Sequence, residues 1–246
     1  MKGVLDRLVR QYNTKSFIEE DPVQFPRRYK KLQDIEIASF LVAAITWGNR
    51  KAILSSCEKI LGKIGKSPWD YVMTKRYERL GAGNVHRTFF ETDLAHMLRG
   101  FHRIYEQNES MNAFLKKKKA ADPWDVARLL QEEMTLANDG RVNPKCMPVH
   151  YAKTALKRVN LALRWLVRRD GIVDLGVWDC LAPSGLYIPL DVHAGNTARR
   201  LLLLQRKQND RQAVEDLTAV LRKFCPEDPV KYDFALFGAG IAGAVL

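Results

Sequence analysis

Apolar residues recur along this chain at spacings of three and four, the period of amphipathic helices, and no run alternates as a half-buried strand does. Val4, Leu5, Leu8, Val9 and Tyr12 predict a short first helix, which Pro22 and Pro26 prevent from continuing. Asp34 is read as the N-cap of the segment IEIASFLVAAITW, apolar nearly all round like the central helix of a bundle and ended by Gly48. A helix resumes near Lys51, and Ser67-Pro68 places a cap before a first-turn proline. Arg87 to Gln107 carries a long one-sided stripe, and Ser110 and Asp122 cap two further helices that end near Lys119 and Asn138.

Asn138, Asp139 and Gly140 then break the pattern, and RVNPKCMP reads as an irregular connector. Val149 to Arg169 is rich in helix formers, Asp174 caps a short segment that Pro183 stops, and YIPLD runs extended up to a helix beginning at Asp191. Helices over Asp210 to Phe224 and Pro229 to Phe237 complete an all-α chain of about ten helices. With the boundary at the connector, residues 34–145 form one helical lobe, and residues 1–33 with 146–246 form the second.

The chain has 246 residues, of which 46% are hydrophobic, enough for a real core and too many for a disordered basic tail. No stretch reaches the roughly 18 apolar residues of a membrane helix, and MKGVLDRLVRQY lacks the features of a signal peptide, so a cytoplasmic location is expected. Four scattered cysteines without a C-x-x-C pair argue against disulfides, structural zinc or an iron–sulfur cluster. The five histidines show no metal-binding spacing, and neither a nucleophile elbow nor a P-loop is present. No metal or cofactor is expected. Gly238, Gly240 and Gly243 follow no strand, which favours close helix packing over a nucleotide loop.

Forty Lys and Arg against 28 Asp and Glu give a net charge of +12, which suggests a polyanionic partner. The excess is concentrated between Lys153 and Arg169, a helical run without a single acid. Lys153 and Lys157 lie four apart there, a spacing at which like charges repel on a helix, so the run is read as a surface facing phosphates.

The segment IPLDVHAGNTARRLLLL resembles the part of helix-hairpin-helix DNA glycosylases where an apolar stretch, V-D-T-H or V-D-V-H, and an arginine-bearing helix follow one another. SFLVAAITWGNRKAI is similar to that superfamily's early helix and strand-contacting loop, and YDFALFGAGIAG to its late helix closing the base pocket. ALKRVNLALRWLVRRDG with PEDPVKYDFALFG resembles an uncharacterised bacterial family of the same superfamily, and also archaeal 8-oxoguanine DNA glycosylases, whose nucleophilic lysine opens a comparable helix. The superfamily's L-P-G-[VI]-G hairpin is replaced by NPKCMPVHYAKTA, and the cysteine loop of endonuclease III is missing.

The resemblance implies a two-lobed all-α glycosylase fold with the active site between the lobes, acting on damaged double-stranded DNA in the nucleoid. It implies Asp191 as catalytic carboxylate, Lys157 as Schiff-base nucleophile, and Asp233, Phe237 and Trp47 as the base pocket. Asn49, Arg50, Lys153, Arg158, His193, Arg199 and Arg200 are the expected DNA contacts. A carboxylate beside the sugar stabilises the oxocarbenium-like charge of glycosidic cleavage, and a lysine attacks only when neutral. Two other readings stay open: a DNA-binding protein that kept the fold without the chemistry, and a helical scaffold that binds protein.

Overall fold

The structure, a computed structural model, describes residues 1–241, whose regular structure is almost wholly helical. In chain order these are α1 (Lys2–Tyr12), α2 (Lys15–Glu20), α3 (Leu32–Ala44), α4 (Arg50–Ile64), α5 (Pro68–Met73), α6 (Glu91–Gln107), α7 (Met111–Lys117) and α8 (Pro123–Leu136). The chain continues through α9 (Lys157–Val167), α10 (Val192–Arg200), α11 (Arg211–Phe224) and α12 (Asp233–Ile241). One-turn 3-10 helices fill several connections, including Pro22–Gln24 and Pro229–Tyr232.

The all-α expectation holds with one local exception. β1 (Asn84–His86) and β2 (Phe89–Phe90) form a small antiparallel hairpin between α5 and α6. The stripe assigned to a helix from Arg87 therefore begins later, because Arg87 turns the chain with a positive φ of 51° and the α6 helix starts at Glu91.

Helix α3 is the centre of the molecule, with every side chain from Asp34 to Ala44 buried. Its start corrects the assignment of Asp34, which lies in the first turn. Asp34 Oδ1 instead accepts the Trp69 N–H at 2.7 Å and the Ser67 hydroxyl at 3.3 Å, pinning the beginning of α5. The helix also stops earlier than Gly48, at Ala44. Within its apolar surface Glu36 takes four donors: the Tyr105 hydroxyl, the Met111 and Asn112 amides and the Trp178 indole, all at 2.8–3.0 Å. A buried carboxylate is tolerated when its lone pairs are filled in this way, and here it ties α3 to α6, to α7 and to the chain after α9.

The caps expected at Ser110 and Asp122 are present, and Asp191 and Asp210 cap the helices expected to begin there, each of the four accepting the amide three residues on at 2.8–3.1 Å. Asp174 caps nothing, and no helix follows it. The helix assigned to Val149–Arg169 shrinks to Lys157–Val167, because Leu156 adopts a left-handed conformation with φ 49° that no helix can run through. Lys153 consequently lies outside the helix and shares no helical face with Lys157.

Close packing of the glycine-bearing helix α12 is confirmed at two positions. A Cβ on Gly238 would sit 2.3 Å from the Tyr12 ring of α1, and one on Gly240 would sit 3.0 Å from the His193 carbonyl oxygen of α10. Gly243 lies outside the described residues. Gly238→Ala is expected to lose about 1–3 kcal/mol of stability by overpacking. Gly62→Ala, on the exposed face of α4 with nothing within 4 Å of the new methyl, is expected to gain about 0.5–1 kcal/mol. Urea unfolding of both variants checks the pair, and equal effects would contradict the packing account.

Candidate active site

A cleft of about 1440 Å³ opens where the loop after α3, the beginnings of α9 and α10, and one face of α12 converge. Lys157, Asp191, Asp233, Phe237, Trp47, Asn49, Arg50, Lys153, Arg158 and His193 all line it. Arg199 and Arg200, the other two expected DNA contacts, do not line the cleft.

Lys157 is placed by the left-handed Leu156, which is buried and whose amide bonds the Thr154 hydroxyl oxygen at 3.2 Å. That turn makes Lys157 the first residue of α9, where the positive end of the helix dipole disfavours an ammonium. Burial lowers its pKa below the ordinary lysine value, and the neighbouring Arg158 acts in the same direction. Asp191 and Asp233 oppose this, Asp191 more strongly. The half-buried amine donates to the Thr46 carbonyl oxygen at 2.7 Å, beyond the end of α3. Lys157 thus also satisfies a carbonyl left without a helical partner.

Asp191 precedes α10 in extended conformation, and its Oδ1 accepts the Ala194 amide at 2.8 Å. Among the described residues Oδ2 has no protein partner, and the carboxylate makes no ion pair with Lys157. From behind, the Asn209 side-chain amide donates to the Asp191 carbonyl oxygen at 3.0 Å, while Arg199 bonds the Asn209 oxygen and the Arg206 carbonyl. Arg199 therefore braces the Asp191 backbone through Asn209, and its guanidinium is engaged by protein acceptors. Arg200 is exposed away from the cleft.

The aromatic walls are held from outside. Phe237 meets His193 edge-on with ring centroids 6.2 Å apart, and the Arg50 guanidinium lies 5.5 Å from its ring centre. Trp47 is fixed through its carbonyl by His86 Nε2 at 2.8 Å, and the Arg158 guanidinium lies over its ring at 5.5 Å. Arg158 Nη1 also donates to the Ala44 and Lys145 carbonyl oxygens at 2.9 and 2.7 Å, which clips the end of α3 to the connector. Asn49 caps α4 by accepting the Ala52 amide at 3.3 Å. Lys153 remains exposed at the rim.

The acid-free run is the largest correction. Arg164 and Arg168 are 3% and 4% exposed and face inward. Arg164 Nε bonds Asp174 at 3.2 Å and its Nη1 bonds Asp233, while Arg168 bonds Asp170, Asp174 and Asp228 at 2.7–2.9 Å. The acids that these arginines need come from outside the helix, so their absence within it did not signal a phosphate surface. Burial, with the Asp191 and Asp174 charges, pushes the Asp233 carboxyl up to about 7 against the pull of Arg164.

Three cleft residues were missed by sequence reasoning. Thr46, which holds Lys157, carries no sequence signal, and Arg164 was seen only as part of a basic run. Asp21 is buried and lines the cleft, with Oδ1 accepting the Val23 amide at 2.9 Å. Its signal was present in Asp21-Pro22, a cap before a first-turn proline.

No helix among the described residues is long and apolar enough to cross a membrane. No curated protein and no solved structure matches the chain. The model of the family described as "Protein of unknown function (DUF2400)" matches residues 21–242, and the chain belongs to that family.

Proposed function

We propose that this protein is a DNA glycosylase with AP-lyase activity that removes an oxidised purine, such as 8-oxoguanine, from double-stranded DNA in the nucleoid. The observation that carries the reading is the convergence of Lys157 and Asp191 on one cleft, the amine with a lowered pKa and the carboxylate with one oxygen unbonded among the described residues. On this reading the cleft separates the lobe of residues 34–145 from the lobe of residues 1–33 and 146–246.

The target nucleotide leaves the base stack, at a cost of a few kcal/mol, and its base enters between Trp47 and Phe237. As the glycosidic bond breaks, its electron pair departs with the base, and Asp191 stabilises the positive charge that develops on the sugar. The neutral Lys157 amine forms a bond to the anomeric carbon, and the proton it gives up goes to the departing base. The C1′–O4′ bond then breaks, its electron pair going to O4′, which takes a proton from water, and the protonated Schiff base left at C1′ is the species from which strand cleavage proceeds. Arg50 and Lys153 stand at the cleft where a distorted strand would pass.

Release of free base from duplexes carrying a panel of oxidised purines tests the proposal. Asp191→Asn keeps the helix cap and is expected to slow release by roughly 100- to 1000-fold. Unchanged release in that variant would remove Asp191 from the chemistry.

A second reading, a DNA-binding protein without turnover, is favoured by the bond from Lys157 to Thr46, since a capping lysine needs no reaction to explain it. It predicts salt-sensitive duplex binding that survives Asp191→Asn with no base released from any duplex.

A further inference from the structure

Three of the buried carboxylates have both oxygens filled by the protein. Glu36 and Asp174 each receive donors on both, and so does Asp93, from the Phe90 amide, Asn143 and Lys145. Asp21 is different. It is 7% exposed, its Oδ1 takes the Val23 amide, and among the described residues Oδ2 takes no hydrogen bond. The open space that Asp21 borders is the cleft.

Three cations lie near enough to attract the Asp21 charge, yet each is engaged elsewhere. Arg164 is bonded to Asp174 and Asp233, Arg50 reaches Glu20, and Lys157 donates to Thr46. The position is rigidly built, between the end of α2 and the buried Pro22 and Val23. Capping a one-turn helix does not explain the residue, because asparagine or serine caps as well without burying a carboxylate. An acceptor held nine-tenths buried at the border of a cleft walled by Trp47 and Phe237, with one oxygen unbonded among the described residues, suits a planar ligand that brings its own donor.

We infer that Asp21 Oδ2 accepts a hydrogen bond from an N–H group on the edge of the base held in the cleft. This rests on the cleft being a base pocket. It adds a residue that selects ligands by the donors on their edge, since a ligand presenting an acceptor there would meet a carboxylate and be rejected.

The test is binding of 2′-deoxyguanosine, which carries ring and amino N–H donors, to the full-length protein by saturation-transfer NMR titration. Asp21→Asn keeps the cap for Val23 and turns the cleft-facing acceptor into a donor. It is expected to weaken binding roughly ten- to a hundredfold with no loss of thermal stability. Asp21→Ser, which also keeps the cap and removes the acceptor, is expected to weaken binding to a similar degree and serves if the asparagine variant does not fold. Wild-type binding that either folded variant matches would overturn the role of Asp21 and leave the base pocket standing. No wild-type binding of deoxyguanosine or of the other deoxynucleosides would overturn the base pocket, and the inference with it.

Discussion

Arg164→Met is expected to destabilise the protein by about 3–5 kcal/mol in urea unfolding, one of the two largest effects anticipated for a single substitution. Methionine fills much of the space, so the loss is electrostatic. Arg164 is the only ion-pair partner of Asp233 among the described residues and one of two for Asp174, and its guanidinium lies 4.4 Å from the centre of the Phe234 ring. Without it, one buried carboxylate loses its counterion altogether. Adding Asp233→Leu to Arg164→Met is expected to restore part of the stability, because removing both charges also removes their desolvation. A loss below about 1 kcal/mol in the single variant would contradict this account of the network.

The same substitution changes the pH dependence in a defined direction. The Asp233 pKa is raised on folding, so the folded state holds this proton more tightly than the unfolded chain. Its contribution to stability is therefore complete at low pH and falls as pH rises through the folded value of about 7. Arg164 opposes that rise, so its removal moves the Asp233 pKa higher still, and Arg164→Met is expected to keep losing stability above the pH at which the wild type levels off.

Lys157→Ala is expected to abolish the covalent intermediate and to slow base release by at least a thousandfold, as loss of a nucleophile does. The structural cost is smaller, about 1 kcal/mol for the lost bond to Thr46. Lys157→Arg separates the two jobs, because arginine can still donate to the Thr46 carbonyl and cannot form a Schiff base. It is expected to unfold near the wild-type midpoint while releasing no base through a covalent adduct. In the wild type the single-turnover rate should rise with pH, and the limb should lie below the pKa of an ordinary lysine because burial favours the neutral amine. A limb at the ordinary value would mean that the reacting amine is exposed.

Much of the helical framework was legible because it rests on local signals. Ser110, Asp122, Asp191 and Asp210 each announce a helix, and the side chain does what its type suggests. The errors fall where a residue acts at long range. Asp34 has the chemistry of a cap, but its partner is Trp69, 35 residues away, while Asp174 caps no helix and pairs instead with the side chains of Arg164 and Arg168. A cationic helix looks alike whether its charges meet phosphate or acids folded in from elsewhere, and only the tertiary structure tells the two apart. Leu156 gave no warning either, since a left-handed leucine is imposed by its surroundings and not by its own preference.

Asp191 and Lys157 do share one wall-to-wall site with Asp233, Phe237 and Trp47, although Arg199 turned out to brace Asp191 from behind. Asp21 was overlooked because its proline neighbour was taken only as a helix breaker.

Borohydride reduction during incubation with duplexes containing 8-oxoguanine and other oxidised purines tests the central claim most directly, followed by digestion and mapping of the adduct. The account predicts a protein–DNA adduct on Lys157, absent in Lys157→Ala. No adduct with the wild type across the lesion panel, or an adduct on another residue that persists in Lys157→Ala, would contradict it.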